Sequence, residues 1–136
     1  MRQVFDSFAG FDDFLVYLGV SLAYLAVFVA IYIRITPYRE MQLIREGNMA
    51  ASFSLSGAIL GFIVPLASAI QHSVSLVDMA IWGLIAMIVQ IAAFVVVKVL
   101  IPSITEDIPA NKGAAGFFLG SLSLGVGLLN AACMSY

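Results

Sequence analysis

The chain has 136 residues, of which 62% are hydrophobic and only 10% charged, with a formal net charge of -2 and a mean hydropathy of +1.07. This composition excludes a water-soluble domain, and a negative balance with 6 basic residues excludes an electrostatic nucleic-acid surface. The single cysteine, Cys133, excludes an internal disulfide or a cysteine-based metal centre.

A hydrocarbon layer of about 30 Å needs about 20 apolar residues per helix, and four stretches, 14–33, 49–70, 79–97 and 113–134, meet that need. The first begins beside Asp6, Asp12 and Asp13, is too long for a cleaved signal and lacks a small-residue cleavage site, so it belongs to the working protein. After it, Thr36 and Pro37 predict a helix start and Gly47 a stop. Tyr38, Met41 and Ile44 share a face of this short amphipathic helix, with Arg39, Glu40, Arg45 and Glu46 beside that face. Such a helix lies on the membrane surface or docks a partner. Asn48 opens the second span as a cap, and Pro65 sets a kink further along. His72, in the loop 71–78, reads as solvated, with a pH-sensing role as the sharper alternative. Asp78 opens the third span as Asp13 opens the first. Its run Ala80-Ile-Trp-Gly-Leu-Ile-Ala-Met-Ile-Val-Gln-Ile-Ala-Ala-Phe-Val-Val-Val97 shows no strand-like alternation, so the spans are helices and not barrel strands. Asn111 opens the fourth span. Asn130 supplies polar compensation near its far end, and Cys133 reads as a small buried or interfacial thiol.

Five of the 6 Lys and Arg residues, Arg34, Arg39, Arg45, Lys98 and Lys112, lie in or beside the loops joining the first span to the second and the third to the fourth, against Arg2 on the other side. Because positive residues stay in the cytoplasm, those two loops are expected inside. Both termini, Met1 and Tyr136, and the loop 71–78 are expected outside.

The halves of the chain echo one another. Asp13 matches Asp78, Tyr17 matches Trp82 and Pro37 matches Pro102, each pair 65 residues apart; Asn48 matches Asn111, Ala51 matches Ala114 and Gly57 matches Gly120, each pair 63 apart. The predicted architecture is therefore an all-α integral membrane protein, a single membrane domain over 1–136. Its four transmembrane helices form two tandem parallel two-helix repeats, about 12–70 and 77–134.

Small residues mark the second and fourth spans. Gly57-Ala-Ile-Leu-Gly61 and Gly116-Phe-Phe-Leu-Gly120 are Gly-x-x-x-Gly motifs, extended by Ala50, Ser54, Ser121 and Gly125, and they predict either packing of the two spans on each other or a homodimer interface. The bulkier first and third spans are then expected against lipid. Gln90 is the strongly polar group near mid-span, and its amide needs a protein partner or lines a polar path. The pairs Asp13 with Asp78 and Asn48 with Asn111 read as helix caps, or as the two mouths of a path. No nucleophile with a base, metal-ligand set or phosphate loop is visible, so neither enzyme activity nor a cofactor is expected.

The segment Glu46-Gly-Asn-Met-Ala-Ala51 with Gly57 and Gly61, then Gly116 and Gly127-Leu-Leu-Asn-Ala-Ala-Cys-Met134, resembles the YjfL-type family of small bacterial inner-membrane proteins, a duplicated domain of unknown function. The resemblance covers nearly the whole chain and implies a bacterial inner (plasma) membrane location. Some relatives accompany envelope-stress proteins of the phage-shock type, which implies a stress-related role. The expected function is a non-catalytic, self-associating scaffold or sensor, with the bilayer, further copies of itself and a cytoplasmic envelope-stress protein as partners. The alternative is an oligomeric channel or transporter for an ion or small solute.

Overall fold

The structure, a computed structural model, describes residues 1–134; the carboxyl terminus at Tyr136, expected on the outer side, lies outside the described residues. The elements are α1 (Arg2–Phe8), α2 (Phe11–Ile35), α3 (Glu40–Arg45), α4 (Met49–His72), α5 (Leu76–Leu100), α6 (Ile104–Asp107) and α7 (Gly113–Cys133). Among the described residues four segments are long and apolar enough to cross a membrane: Arg2–Ile35, Met49–His72, Leu76–Leu100 and Gly113–Cys133. The all-helical, four-span architecture predicted from hydropathy is therefore the one observed.

Helix α4 holds the bundle together because its inner face is nearly all backbone. Ala50, Ser54, Gly57, Ala58 and Gly61 are buried there, and α7 answers with Gly116, Gly120, Ser123 and Gly127. A methyl group added at Gly57 would collide with the backbone of Gly120, one at Gly116 with Ala50, and one at Gly127 with Gly61. Partners rise together along both chains, so the helices run side by side in one direction. Lipid offers apolar side chains no hydrophobic reward for leaving it, so close-range dispersion between bare backbones holds such a pair. Pro65 lacks the N–H that Gly61 O would otherwise receive. That carbonyl is where Gly127 comes closest, and α4 runs on through Pro65 to His72.

Two expectations about the small residues need correction. Ser121 is exposed, and Gly125 has open space where a side chain would stand, so neither extends the stripe. Gly116, Gly120, Ser123 and Gly127 recur at helical spacing and share a face, whereas Ser121 and Gly125 are each a further turn angle away. Lipid exposure also divides differently from expectation. Helix α2 is outermost, burying only Phe28 and Tyr32, but α5 turns Met79, Gly83, Ala86, Met87, Gln90, Phe94 and Val97 inward. Gly83 makes room for Leu66 and Tyr24, and Tyr24 Oη donates to Ala80 O at 2.5 Å. Phe28 stacks on Phe62 with ring centroids 4.7 Å apart, and Phe94 meets Tyr32 edge-on at 5.3 Å. With Ala58 and Leu119 these rings fill the interior.

Candidate functional site

The polar residues collect at the end of the bundle that carries α3 and α6. Asn48 caps α4, its side chain accepting from Ala51 N at 2.8 Å. Its amide nitrogen then donates to Ile108 O at 3.0 Å and Pro109 O at 3.2 Å, tying the first loop to the second. Asn111 departs from expectation, because Lys112, not Asn111, is the N-cap of α7. Asn111 adopts φ 60°, and its Oδ1 accepts from Ala50 N at 3.2 Å, capping α4 from the opposite half of the chain. A short polar side chain tolerates this left-handed conformation better than most. Both asparagines therefore serve the first turn of α4. Beside them Lys112 pairs with Asp107 at 3.2 Å.

The second group at this end was not visible in the sequence. Tyr32 and Thr36, one turn apart at the end of α2, face Tyr38, Glu40 and Ser54, and all five are buried. Glu40 is only 1% exposed, whereas Met41, expected to share an apolar face with Tyr38 and Ile44, is 47% exposed. The inner face of α3 is Glu40 with Leu43 and Ile44, which pack against the core. This register rotates the expected amphipathic face and puts an acid inside. Thr36 Oγ1 makes long contacts to Ile33 O at 3.2 Å and Tyr38 O at 3.4 Å. Ser54 donates to Ala51 O at 3.3 Å, and its hydroxyl lies beside the phenols of Tyr32 and Tyr38. Neither carboxyl oxygen of Glu40 and neither phenol has a hydrogen-bond partner of normal geometry. Burial pushes the Glu40 carboxyl up to about 8, with the facing Thr36 pulling it back in part. Burial, and then the nearby Glu40, push Tyr38 up as well.

At mid-span Gln90, 1% exposed, donates through Nε2 to Ser123 O at 2.8 Å, and its Oε1 has no partner. The amide sits against Gly61, where a methyl group would fall 2.6 Å from Nε2. It joins α5 to the α4–α7 pair.

The opposite end is more open. Asp13 is exposed in the first turn of α2 and makes no capping bond, because α1 and α2 run almost continuously past Gly10. Asp78 lies in the first turn of α5, where Ser75 is the cap: Ser75 Oγ accepts from Asp78 N at 3.1 Å and Asp78 Oδ2 accepts from Val74 N at 3.2 Å. This reciprocal pair is a capping-box variant. His72 Nδ1 donates to Ser68 O at 2.9 Å. Asn130 leaves its Nδ2 buried without a partner, and Cys133 is exposed, not buried. Among the described residues no three of His, Cys, Asp and Glu come together to hold a metal ion.

Across residues 6–134 the chain matches a family described as Domain of Unknown Function (DUF350). It is 39% identical over 134 residues, spanning 98% of this chain and 99% of the relative, to the UPF0719 inner membrane protein YjfL of Escherichia coli (strain K12). It is 28% identical over 122 residues, 85% of this chain and 88% of the relative, to the UPF0719 transmembrane protein YshE of Bacillus subtilis (strain 168). No solved structure matches it.

Proposed function

The chain belongs to the DUF350 family and is a multi-pass inner-membrane protein, and from that premise we propose that it is a non-catalytic, self-associating membrane component that acts by contact, as a scaffold or sensor. The observation that carries this reading is the filled interior. Phe28, Phe62 and Phe94 close the centre of the bundle, α4 and α7 touch backbone to backbone, and the polar group at mid-span is tied to Ser123 O. A subunit packed in this way offers a solute no route through itself, so any permeation path would run between subunits.

Within this reading the chain is two tandem copies of a two-helix unit, supported by the parallel course of α4 and α7. The end bearing α3 and α6 is cytoplasmic, supported by its share of Lys and Arg. The glycine stripes are consumed inside one subunit, so self-association uses a different surface. Support for one comes from the outer side of the same helix pair, where Ser56 and Ser121 are exposed in a shallow groove beside Phe53, Leu60, Phe117 and Leu124. Hydroxyls on a bilayer-facing surface gain by meeting a second copy. Arg39, Met41 and Arg45, all exposed, give a cytoplasmic envelope-stress protein a surface to dock on.

Particle mass in lipid nanodiscs, measured over a wide dilution range, tests the proposal. We expect a defined oligomer, weakened by Ser56→Leu with Ser121→Leu while the subunit stays folded. A monomer at every dilution would refute self-association.

A further inference from the structure

Where α3 meets α2 and α4, a carboxyl group has been taken out of water and given no counter-charge. The groups that surround Glu40 are known element by element. From α2 and the segment after it come Tyr32, Thr36 and Tyr38; from α4 comes Ser54 and nothing charged; from α5, Phe94 packs on Tyr32 while Lys98 is exposed. Arg34, Arg39 and Arg45 are exposed, and the ion pair at this end joins Lys112 to Asp107. An ionised carboxylate in such a place keeps neither its hydration nor a compensating cation, so the neutral acid is favoured. A neutral carboxyl has one O–H to donate and a carbonyl to accept. The hydroxyls of Thr36, Tyr32 and Tyr38 beside it match that inventory, with Ser54 next to the two phenols.

The element bearing this acid is short and lightly held. Helix α3 has six residues, is followed after Glu46 by Gly47 with φ 85°, and is held inward by Leu43 and Ile44, which are only partly buried. Its docking therefore depends on what the inward face carries at Glu40. We propose that Glu40 is a reversible proton-binding site whose protonation latches α3 to the bundle: a proton from the adjoining solution adds to the carboxylate as α3 docks and returns to solution as α3 lifts. This holds whether or not copies of the chain associate. With the carboxyl raised to about 8, the latch works across the ordinary range of cytoplasmic pH. Tyr38 is pushed upward by burial, so its phenol stays neutral while Glu40 titrates.

The test is an infrared titration of the full chain in lipid, following the C=O stretch of the protonated carboxyl, together with thiol labelling of Leu43→Cys in a Cys133→Ser background. Labelling of exposed Gln42→Cys corrects for the reagent's own pH dependence. A buried carboxyl band should vanish with a midpoint near 8 in the parent, be absent in Glu40→Gln, and persist with a displaced midpoint in Glu40→Asp. The Leu43-to-Gln42 labelling ratio should rise from the ordinary carboxyl range upward and level off near 8, by up to a few thousandfold in all, the factor set by moving a carboxyl from 4.5 to about 8. In Glu40→Gln the ratio should stay low and flat. The infrared titration and labelling ratio of the parent decide the matter even if Glu40→Gln fails to fold. The proposal is overturned if Glu40 is already ionised below about pH 6, if the labelling ratio ignores the carboxyl transition, or if sodium or potassium at fixed pH abolishes the band, which would make the ligand a metal cation.

Discussion

Replacing Gly57 with alanine adds one methyl group at one of the tightest points of the bundle. The new Cβ would overlap the Cα, carbonyl carbon and oxygen of Gly120, which are backbone and cannot rotate away. The helices must separate, and the neighbouring contacts of Gly61 with Gly127 and of Gly116 with Ala50 loosen with them. Overpacking of this kind costs about 1–3 kcal/mol, and more where backbone must shift. Alanine returns up to about 1 kcal/mol through its better helix propensity. A net loss of about 1–2 kcal/mol is expected. Gly125→Ala makes the same chemical change on the same helix pair but meets nothing within 4 Å. It should be neutral or stabilise by up to about 1 kcal/mol. The difference, about 1–3 kcal/mol, is about one to two orders of magnitude in the unfolding equilibrium and can be read from reversible SDS unfolding in mixed micelles followed by circular dichroism. Equal stability of the two variants would refute the backbone-to-backbone packing of α4 on α7. Loss of association from Gly57→Ala with the subunit's stability unchanged would move the glycine stripe to an interface between copies.

Asn48→Ala removes the α4 cap and both bonds to the second loop, and should cost about 1–3 kcal/mol in the same unfolding measurement, with Asn111→Ala costing less. Because folded Glu40 holds its proton more tightly than unfolded glutamate, stability should be full below the ordinary carboxyl range and fall as pH rises toward about 8. Glu40→Gln should flatten that slope, as thermal unfolding at several pH values will show. Gln90→Leu loses the bond to Ser123 O but also removes an unpartnered oxygen from a buried site, so a change within about 1 kcal/mol is expected on unfolding. A cysteine at Arg39, in a Cys133→Ser background, should resist an impermeant thiol reagent in intact cells and react in inside-out vesicles; the reverse would invert the orientation.

The spans were legible because bilayer thickness fixes helix length, so hydropathy alone located four of them. Helix ends were less so. Ser75, not Asp78, caps α5, and the helical start at Arg2 follows from α1 joining α2 across Ala9 and Gly10, a junction without a hydropathy signal. The Gly-x-x-x-Gly motifs pointed to close packing, but which of Gly125 and Gly127 faces α4 depends on helix rotation, which the motif leaves open. Glu40 was read as a surface charge because glutamates seldom bury, and its inward register is set by how α3 docks. The spacing of Tyr32 and Thr36 at the end of α2 was the sequence trace of that cluster. Asn111 capping α4 was illegible because its partner, Ala50, is distant in sequence and the bond depends on a left-handed backbone.

The claim that the protein acts by contact and not by passage is tested most directly by solute flux in liposomes that hold the native oligomer. Sodium, potassium, chloride, protons and small polar solutes should leak no faster than from empty vesicles, in the parent and in Gln90→Leu alike. A robust flux that falls in Asp13→Asn with Asp78→Asn and in Gln90→Leu, with folded protein retained, would contradict the account and assign those residues to a path between subunits.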